Sequence, residues 1–140
     1  MENREMPENA PAPDIAQAAQ QNYFMAYNHI RIGVMRQDYA ETYLDIVQES
    51  TNLYHVVHGG AFFTLADCCA GLAARSNGRN YVTQNASSQF VRNVTQGRIT
   101  ARGQVLQRGR HVCLVEVRIT DEEGKLLFCS MFSMYCVSGK

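Results

Sequence analysis

Residues 58–75 read HGGAFFTLADCCAGLAAR, and this segment limits which fold the rest of the chain can adopt. From Ala61 to Arg75 the pattern predicts a helix whose apolar side chains surround the axis instead of forming one stripe. A helix that is apolar all round must be enclosed by protein. The rest of the chain is therefore expected to wrap this helix.

The segments that follow the helix predict a sheet as the wrapper. Residues 98–105 alternate between polar and apolar side chains, the period-two signature of a sheet with one buried face. Short Gly-containing connections at 108–110 and 121–124 predict antiparallel hairpins. Strands are expected at residues 30–35, 39–48, 80–91, 98–107, 111–120 and 125–137. The prediction is an α+β fold with one buried helix, a four-stranded meander after it, and five to six antiparallel strands in all.

The beginning of the chain differs from the rest in composition. Residues 1–13 are polar, contain all three prolines and lack the apolar run of a signal peptide, so we predict a flexible leader. Asp14 is suited to cap a helix over residues 15–27. A single domain is expected from residue 14 to residue 140.

Composition narrows the classes of function. The 13 basic and 13 acidic residues balance and form no block of like charge, which argues against a nucleic-acid or anionic-membrane partner. No apolar segment approaches the roughly 20 residues that a membrane-spanning helix needs. The five cysteines lack the spacing of a disulfide framework or a zinc site. We therefore expect a cytoplasmic protein that binds a small molecule and no metal.

Asp67 is the unusual residue of the predicted helix. A carboxylate among apolar neighbours costs several kcal/mol unless it is solvated, paired or neutralised. One interpretation is a reactive group. The other is that Asp67 lies on a solvated stripe beside Thr64 or pairs with a structural arginine.

Gly59 and Gly60 stand at the predicted helix N-terminus, where free backbone N–H groups favour a negatively charged oxygen. The Gly59 N–H is a candidate donor to an oxyanion, although the two glycines taken alone favour ordinary helix entry. Gly59 and Asp67 lie about 12 Å apart along one helix, too far to act on the same carbon. We therefore predict a two-fold dimer in which Asp67 of one protomer faces Gly59 of the other.

These residues resemble the signature of the PaaI-type hotdog thioesterases, in the pattern Asn52-x5-His58-Gly59-Gly60-x3-Thr64-Leu65-Ala66-Asp67. The similarity covers roughly residues 30–137 and continues through Val82-Thr83, Phe90-Val91-Arg92, Gly97, Val105-Leu106-x2-Gly109-Arg110 and Glu116-Val117. The resemblance implies a long helix inside a curled antiparallel sheet. It also implies dimers with paired sites, frequently assembled into tetramers, and hydrolysis of acyl-CoA without a cofactor.

The resemblance also implies roles for individual residues. Asp67 corresponds to the general base or nucleophile, two alternatives between which the sequence does not choose. Gly59 corresponds to the glycine that polarises the thioester carbonyl, and Asn52 to the asparagine that assists at the carbonyl or water. Thr83 corresponds to the residue that orients the aspartate or water.

Substrate contacts are expected from residues at the helix N-terminus and at strand ends. Arginine suits the phosphates of coenzyme A through its forked geometry, although solvated surface charge is an equal alternative. The expected contacts come from His58, Gly60, Arg92, Arg108, Gly109 and Arg110. Aromatic side chains that could line an acyl tunnel, or simply belong to the core, are Tyr54, Phe62, Phe63 and Tyr81.

One departure from the family pattern is His55, which stands where a glycine is common and affects the expected shape of the loop and acyl pocket. His58 is usually structural in this motif. His55 and His58 keep open a hotdog dehydratase or hydratase, and a non-catalytic acyl-CoA sensor is a third hypothesis. The acyl group, and coenzyme A versus a carrier protein, stay open.

Overall fold

A computed structural model describes residues 21–137 of the chain. In order, the elements are α1 (Tyr23–Tyr27), β1 (Ile30–Arg36), β2 (Tyr39–Asp45), a 3-10 helix (Gln48–Ser50), α2 (Gly59–Arg75), β3 (Tyr81–Phe90), β4 (Arg98–Arg108), β5 (Val112–Thr120) and β6 (Leu126–Cys136). One long helix and six strands give the α+β class that the sequence predicts.

The six strands form one antiparallel sheet in the order β1-β2-β4-β5-β6-β3. The two predicted hairpins, β4–β5 and β5–β6, are confirmed. The predicted four-stranded meander is wrong, because β3 pairs with β6 and only β4 to β6 follow one another. After β3 the chain crosses the entrance of α2, where Val57 N–H donates to Val94 O at 3.2 Å. The strands β1 and β3 are the two edges of the sheet.

Helix α2 packs on the sheet through its small side chains. The Thr42 hydroxyl donates to Leu65 O at 3.0 Å, and the Cys69 thiol donates to Ala40 O at 3.2 Å, which ties the helix to β2. Gly103 on β4 faces Cys69, and a Cβ at Gly103 would stand 3.0 Å from the Cys69 sulfur. This close approach favours glycine at that point of the sheet, because a larger residue would have to displace the Cys69 side chain.

The wrapping of α2 is incomplete, which corrects the expectation of a fully enclosed helix. Thr64, Asp67, Cys68 and Gly71 are only half-buried, and Phe63 is exposed. These residues recur at intervals of three or four and so share one face of the helix. We call this face, from Phe63 to Gly71, the open stripe.

Arg108 closes the opposite, C-terminal end of α2. Its guanidinium donates to Ala74 O at 2.8 Å and to Ala73 O at 3.3 Å, two carbonyls of the last helical turn. It also forms an ion pair with Asp38 at 2.8 Å and donates to the Tyr81 hydroxyl. A cation is favourable at a helix C-terminus, where carbonyl groups lack helical partners.

Only part of the expected N-terminal helix falls within the described residues. The expected leader (1–13), Asp14 and the helical residues up to 20 lie outside the described part. Within it, Asn22 accepts a hydrogen bond from Met25 N–H at 3.1 Å and so caps α1. Across residues 21–137, no helix combines the length and apolar character needed to cross a membrane.

Candidate active site

Asp67 lies on the open stripe of α2 and is held by the edge strand β3. The Thr83 hydroxyl donates to Asp67 Oδ1 at 2.5 Å. The other carboxylate oxygen, Oδ2, has no hydrogen-bond or ion-pair partner among residues 21–137. One oxygen is therefore held by Thr83, and the other is left without a partner in this part of the chain.

The carboxylate borders a cavity of about 330 Å³. Thr64, Cys68 and Arg75 border the same cavity, and Arg75 makes no ion pair with Asp67. The alternative in which Asp67 pairs with a structural arginine is therefore not what the described residues show. The alternative of a solvated stripe beside Thr64 matches the position of Asp67, but a merely solvated carboxylate does not require the Thr83 contact.

Cys68 borders the cavity beside Asp67 but is poorly suited to act as a nucleophile. Burial, and secondarily the charge of Asp67, raises the pKa of the Cys68 thiol to about 12. The thiolate is the reactive form of cysteine, and at neutral pH a thiol with this pKa stays protonated. Among the residues that border this cavity, Asp67 supplies the carboxylate, and Cys68 stays a protonated thiol.

The N-terminus of α2 presents one free backbone donor. His58 is the N-cap residue, and its Nδ1 accepts the Gly60 N–H at 2.8 Å. The Ala61 and Phe62 N–H groups both donate to His58 O. The Gly59 N–H has no partner among the described residues, so it is the donor available to a ligand. His58 therefore acts as a cap, and the N–H of Gly60 is already occupied.

A second cavity, of about 280 Å³, opens at this helix N-terminus. Asn52, Gly59 and Arg92 border it, so the structure brings three of the predicted site residues together. The ring of Phe90 lies over Gly59, where a Cβ would stand 3.3 Å from Phe90 Cε1. The absence of a side chain at Gly59 allows this approach.

Asn52 shapes the loop that leads into α2. Its Oδ1 accepts the Tyr54 N–H at 2.9 Å and the Val56 N–H at 3.4 Å. Among residues 21–137 the amide Nδ2 has no partner and remains a possible donor to a ligand. Asn52 is therefore structural through its oxygen and available through its nitrogen.

The same loop explains the departure at His55. His55 has φ +63, the left-handed conformation that glycine adopts most easily. The loop thus keeps a backbone conformation typical of glycine although a histidine occupies the position. His55 is exposed and borders neither the Asp67 cavity nor the Gly59 cavity.

Asn93 is a residue of this region that the sequence did not single out. Its Nδ2 donates to Val57 O at 3.0 Å, and its Oδ1 accepts the Val57 N–H at 3.1 Å and the Val94 N–H at 2.8 Å. These bonds tie the loop before His58 to the segment after β3. Its only sequence signal is its position directly after Phe90-Val91-Arg92.

The other residues that were predicted to contact the substrate lie away from both cavities, at the C-terminal end of α2 and at the β4–β5 turn. Arg108 is engaged at the C-terminal end of α2, which leaves it no free face for a phosphate. Gly109 forms the β4–β5 turn, where its N–H donates to Val112 O at 2.9 Å. Arg110 is exposed beside that turn, and its carbonyl accepts a hydrogen bond from Arg79 at 3.0 Å.

The four aromatic side chains suggested for an acyl tunnel do not line one common cavity. Tyr54 is exposed, and Phe62 is buried in the core against Phe128, with ring centroids 6.2 Å apart. Only Phe63 and Tyr81 border the Asp67 cavity.

Asp67 and Gly59 border different cavities of this chain. They are eight residues apart on the same helix, a separation of about 12 Å along its axis. A single chain therefore does not bring the carboxylate and the free N–H together. Within residues 21–137, no cluster of three or more His, Cys, Asp or Glu side chains is arranged to hold a metal ion.

The sequence profile of the thioesterase superfamily matches residues 54–128, a range that includes α2 and strands β3 to β5. The chain belongs to the thioesterase superfamily.

Curated relatives of this thioesterase-superfamily protein are named as esterases, and those names rest on inferred activity. A protein of Saccharolobus solfataricus is 33% identical over 95 residues, which cover 66% of this chain and 68% of that protein. A protein of Haemophilus influenzae is 24% identical over 120 residues, which cover 84% of this chain and 87% of the relative.

Solved structures agree with this classification. One of them is a thioesterase of Streptococcus pneumoniae TIGR4, described as hypothetical, that was crystallised with coenzyme A. It is 30% identical to this chain, with a TM-score of 0.75, and the match covers 78% of this chain and 89% of that one. Two variants of this thioesterase have also been crystallised. In one an aspartate is replaced by alanine, and in the other a threonine sixteen positions after that aspartate is replaced by alanine. The PaaI protein of Escherichia coli shares the fold, with a TM-score of 0.82, 24% identity and coverage of 89% of this chain and 92% of its own. The predicted resemblance to PaaI-type hotdog thioesterases is thus confirmed.

Proposed function

We propose that this protein hydrolyses acyl-CoA thioesters, converting an acyl-CoA and water into a carboxylic acid and coenzyme A. The observation that carries the proposal is Asp67, which borders a cavity, is held through Oδ1 by Thr83 and has no partner at Oδ2 among the described residues. A held carboxylate with one free oxygen is suited to remove a proton from water. Neither a cofactor nor a metal is required for this reaction.

The reaction needs a nucleophile and a site for developing negative charge. Asp67 takes the proton from a water molecule that attacks the carbonyl carbon, and general-base catalysis of this kind contributes about 10² to 10⁴ in rate. The alternative is direct attack by Asp67, which forms an anhydride that water then cleaves. In both cases the C–S bond breaks and coenzyme A leaves as the thiol.

Gly59 supplies the donor for the carbonyl oxygen. Its N–H is free, points out of the N-terminus of a 17-residue helix, and borders the same cavity as Asn52. The dipole of the helix favours negative charge at this end. As the tetrahedral intermediate forms, the Gly59 N–H, assisted by Asn52 Nδ2, stabilises the oxyanion.

A two-fold dimer brings the two halves of the site together. Within residues 21–137, strand β3 has no neighbour on its outer side, and it exposes apolar side chains, including Val82 and Phe90 at 51% and 58% exposure. Such an edge favours pairing with another strand. Antiparallel pairing of β3 with its copy places the Thr83 end of one strand beside the Phe90 end of the other. Asp67 adjoins Thr83 and Gly59 adjoins Phe90, so this pairing joins Asp67 of one protomer to Gly59 of the next.

The comparisons support the same residues. Asp67 and Thr83 are sixteen positions apart, the spacing of the aspartate and threonine that were replaced in the pneumococcal thioesterase. The complex of that thioesterase with coenzyme A supports a nucleotide substrate here. We assign the phosphate contacts to Arg92, at the Gly59 cavity, and to Arg110, and leave out Arg108.

The site disfavours the dehydratase hypothesis. A dehydratase requires a histidine at the reacting carbons, whereas neither His55 nor His58 borders the Asp67 cavity. His58 Nδ1 is in addition occupied as a helix cap. The five free cysteines fit a reducing compartment, so we place the activity in the cytoplasm.

Release of free thiol from a panel of acyl-CoA substrates tests the proposal. We expect release by the wild type and a loss of at least about 10²-fold in kcat for Asp67→Asn. Asp45→Asn is the matched control, because Asp45 is exposed and pairs with Arg98 on the surface. Activity of Asp67→Asn equal to that of Asp45→Asn would remove Asp67 from the mechanism. Binding of acyl-CoA without thiol release would instead favour the sensor.

A further inference from the structure

A cavity of about 750 Å³ lies beside the first turn of α2 and has no part in the mechanism above. Its apolar border comes from Phe24 on α1, Ile30 on β1, Leu44 on β2 and Ala61 on α2. Polar side chains also border it, among them Glu49, His58 and Thr64. None of the four aromatic residues that the sequence suggested for an acyl tunnel borders it.

This cavity adjoins the cavity of Asp67. Phe24 and Thr64 border both of them. Thr64 lies three residues before Asp67 on the open stripe, so the two side chains are neighbours on one helix face. A chain attached to a carbonyl carbon beside Asp67 therefore reaches the larger cavity by passing between Phe24 and Thr64.

The Phe24 side chain is exposed to solvent in the way expected of an apolar group that a ligand covers. Its side chain is 65% exposed although it is large and apolar, and it borders both cavities. An apolar chain lying against this ring removes apolar area from water on both partners, which favours binding in proportion to the area covered. Tyr23, its neighbour on α1, is 79% exposed but borders neither cavity.

The volume of the cavity indicates the size of the group that fills it. Pockets that hold drug-sized ligands measure roughly 300 to 1,000 Å³. A cavity of about 750 Å³ falls within that range, and an acetyl group would leave most of it empty. A medium-length acyl chain fills more of the volume than an acetyl group does and also covers the exposed Phe24 ring.

We infer that this cavity receives the acyl group, that the preferred substrates carry medium-length acyl chains, and that Phe24 and Ala61 determine this preference. The inference rests on the proposed acyl-CoA hydrolysis and adds the substrate class.

The ratio of kcat/KM for decanoyl-CoA to kcat/KM for acetyl-CoA tests the inference. We expect the wild type to prefer decanoyl-CoA by at least about tenfold. Ala61→Leu fills part of the cavity, and Phe24→Ala removes the ring that the chain covers. Each variant is expected to lower the ratio at least about tenfold. Tyr23→Ala, the matched control, is expected to keep the wild-type ratio, with the fold of every variant checked by thermal unfolding.

A binding measurement separates this inference from the proposed hydrolysis. In an Asp67→Asn background, calorimetry is expected to show decanoyl-CoA binding at least about tenfold more tightly than acetyl-CoA, and Ala61→Leu to abolish the difference. If the wild type releases no thiol but this binding pattern holds, hydrolysis fails and the cavity assignment stands. If thiol is released but neither Ala61→Leu nor Phe24→Ala changes the ratio, the cavity assignment is overturned and hydrolysis stands.

Discussion

The Thr83 hydroxyl donates a hydrogen bond to Asp67 Oδ1, so the edge strand β3 fixes a carboxylate that belongs to helix α2. The contact joins two elements that the chain connects only through the turn between them. It gives the carboxylate one held oxygen and one free oxygen. This geometry suits the general base that we propose.

Thr83→Val removes the hydroxyl and keeps the shape of the side chain. We expect kcat to fall about tenfold or more, because the carboxylate is no longer oriented toward water, while KM changes little. Thr83→Ser retains the hydroxyl and is expected to recover most of the activity. Equal kcat values for Thr83→Val and the wild type in a thiol-release assay would show that the contact does not serve catalysis.

Gly59→Pro tests the proposed oxyanion donor, because proline has no backbone N–H and is well tolerated at the first position of a helix. His58 has φ −64 and ψ 138, a conformation that is compatible with a following proline. We expect a loss of about 10² to 10³ in kcat. Gly59→Ala keeps the N–H and introduces the same Cβ contact with Phe90, so it is the steric control. Equal losses in the two variants would assign the effect to crowding instead of to the lost donor.

Two arginines that the sequence grouped together are expected to behave differently. Arg108→Gln removes an ion pair with Asp38 and the cap of α2, so it is expected to lower the free energy of unfolding by about 1–3 kcal/mol. The KM for acyl-CoA should stay close to that of the wild type. Arg92→Gln is expected to raise KM several-fold and leave the thermal midpoint nearly unchanged, because Arg92 is exposed and borders the Gly59 cavity. A raised KM in Arg108→Gln with unaltered stability would reverse these assignments.

The parts of the fold that depend on local pattern were predictable. The helix from Ala61 to Arg75 was predicted with the correct C-terminus, and it begins two residues earlier because His58 caps it at Gly59. The period-two alternation in residues 98–105 predicted β4, and the Gly-containing connections predicted its hairpin with β5. Both signals lie within a few neighbouring residues.

Long-range contacts were not predictable in the same way. The pairing of β3 with β6 joins residues about fifty positions apart, such as Val82 and Tyr135, and alternation within either strand does not specify its partner. The capping of α2 by Arg108 depends equally on contacts across the fold. The motif placed Asp67 and Thr83 together correctly, but the cavity bordered by α1 carries no comparable pattern.

The central claim is that Asp67 of one protomer acts with Gly59 of another, and mixing two inactive variants tests it most directly. Asp67→Asn and Gly59→Pro are purified separately, combined in equal amounts, dissociated and reassembled, and assayed for thiol release. If the site is shared, each mixed dimer contains one intact site, and activity recovers to about one quarter of the wild-type value. If both residues act within one protomer, no dimer contains an intact site, and a mixture as inactive as its parents would contradict the claim.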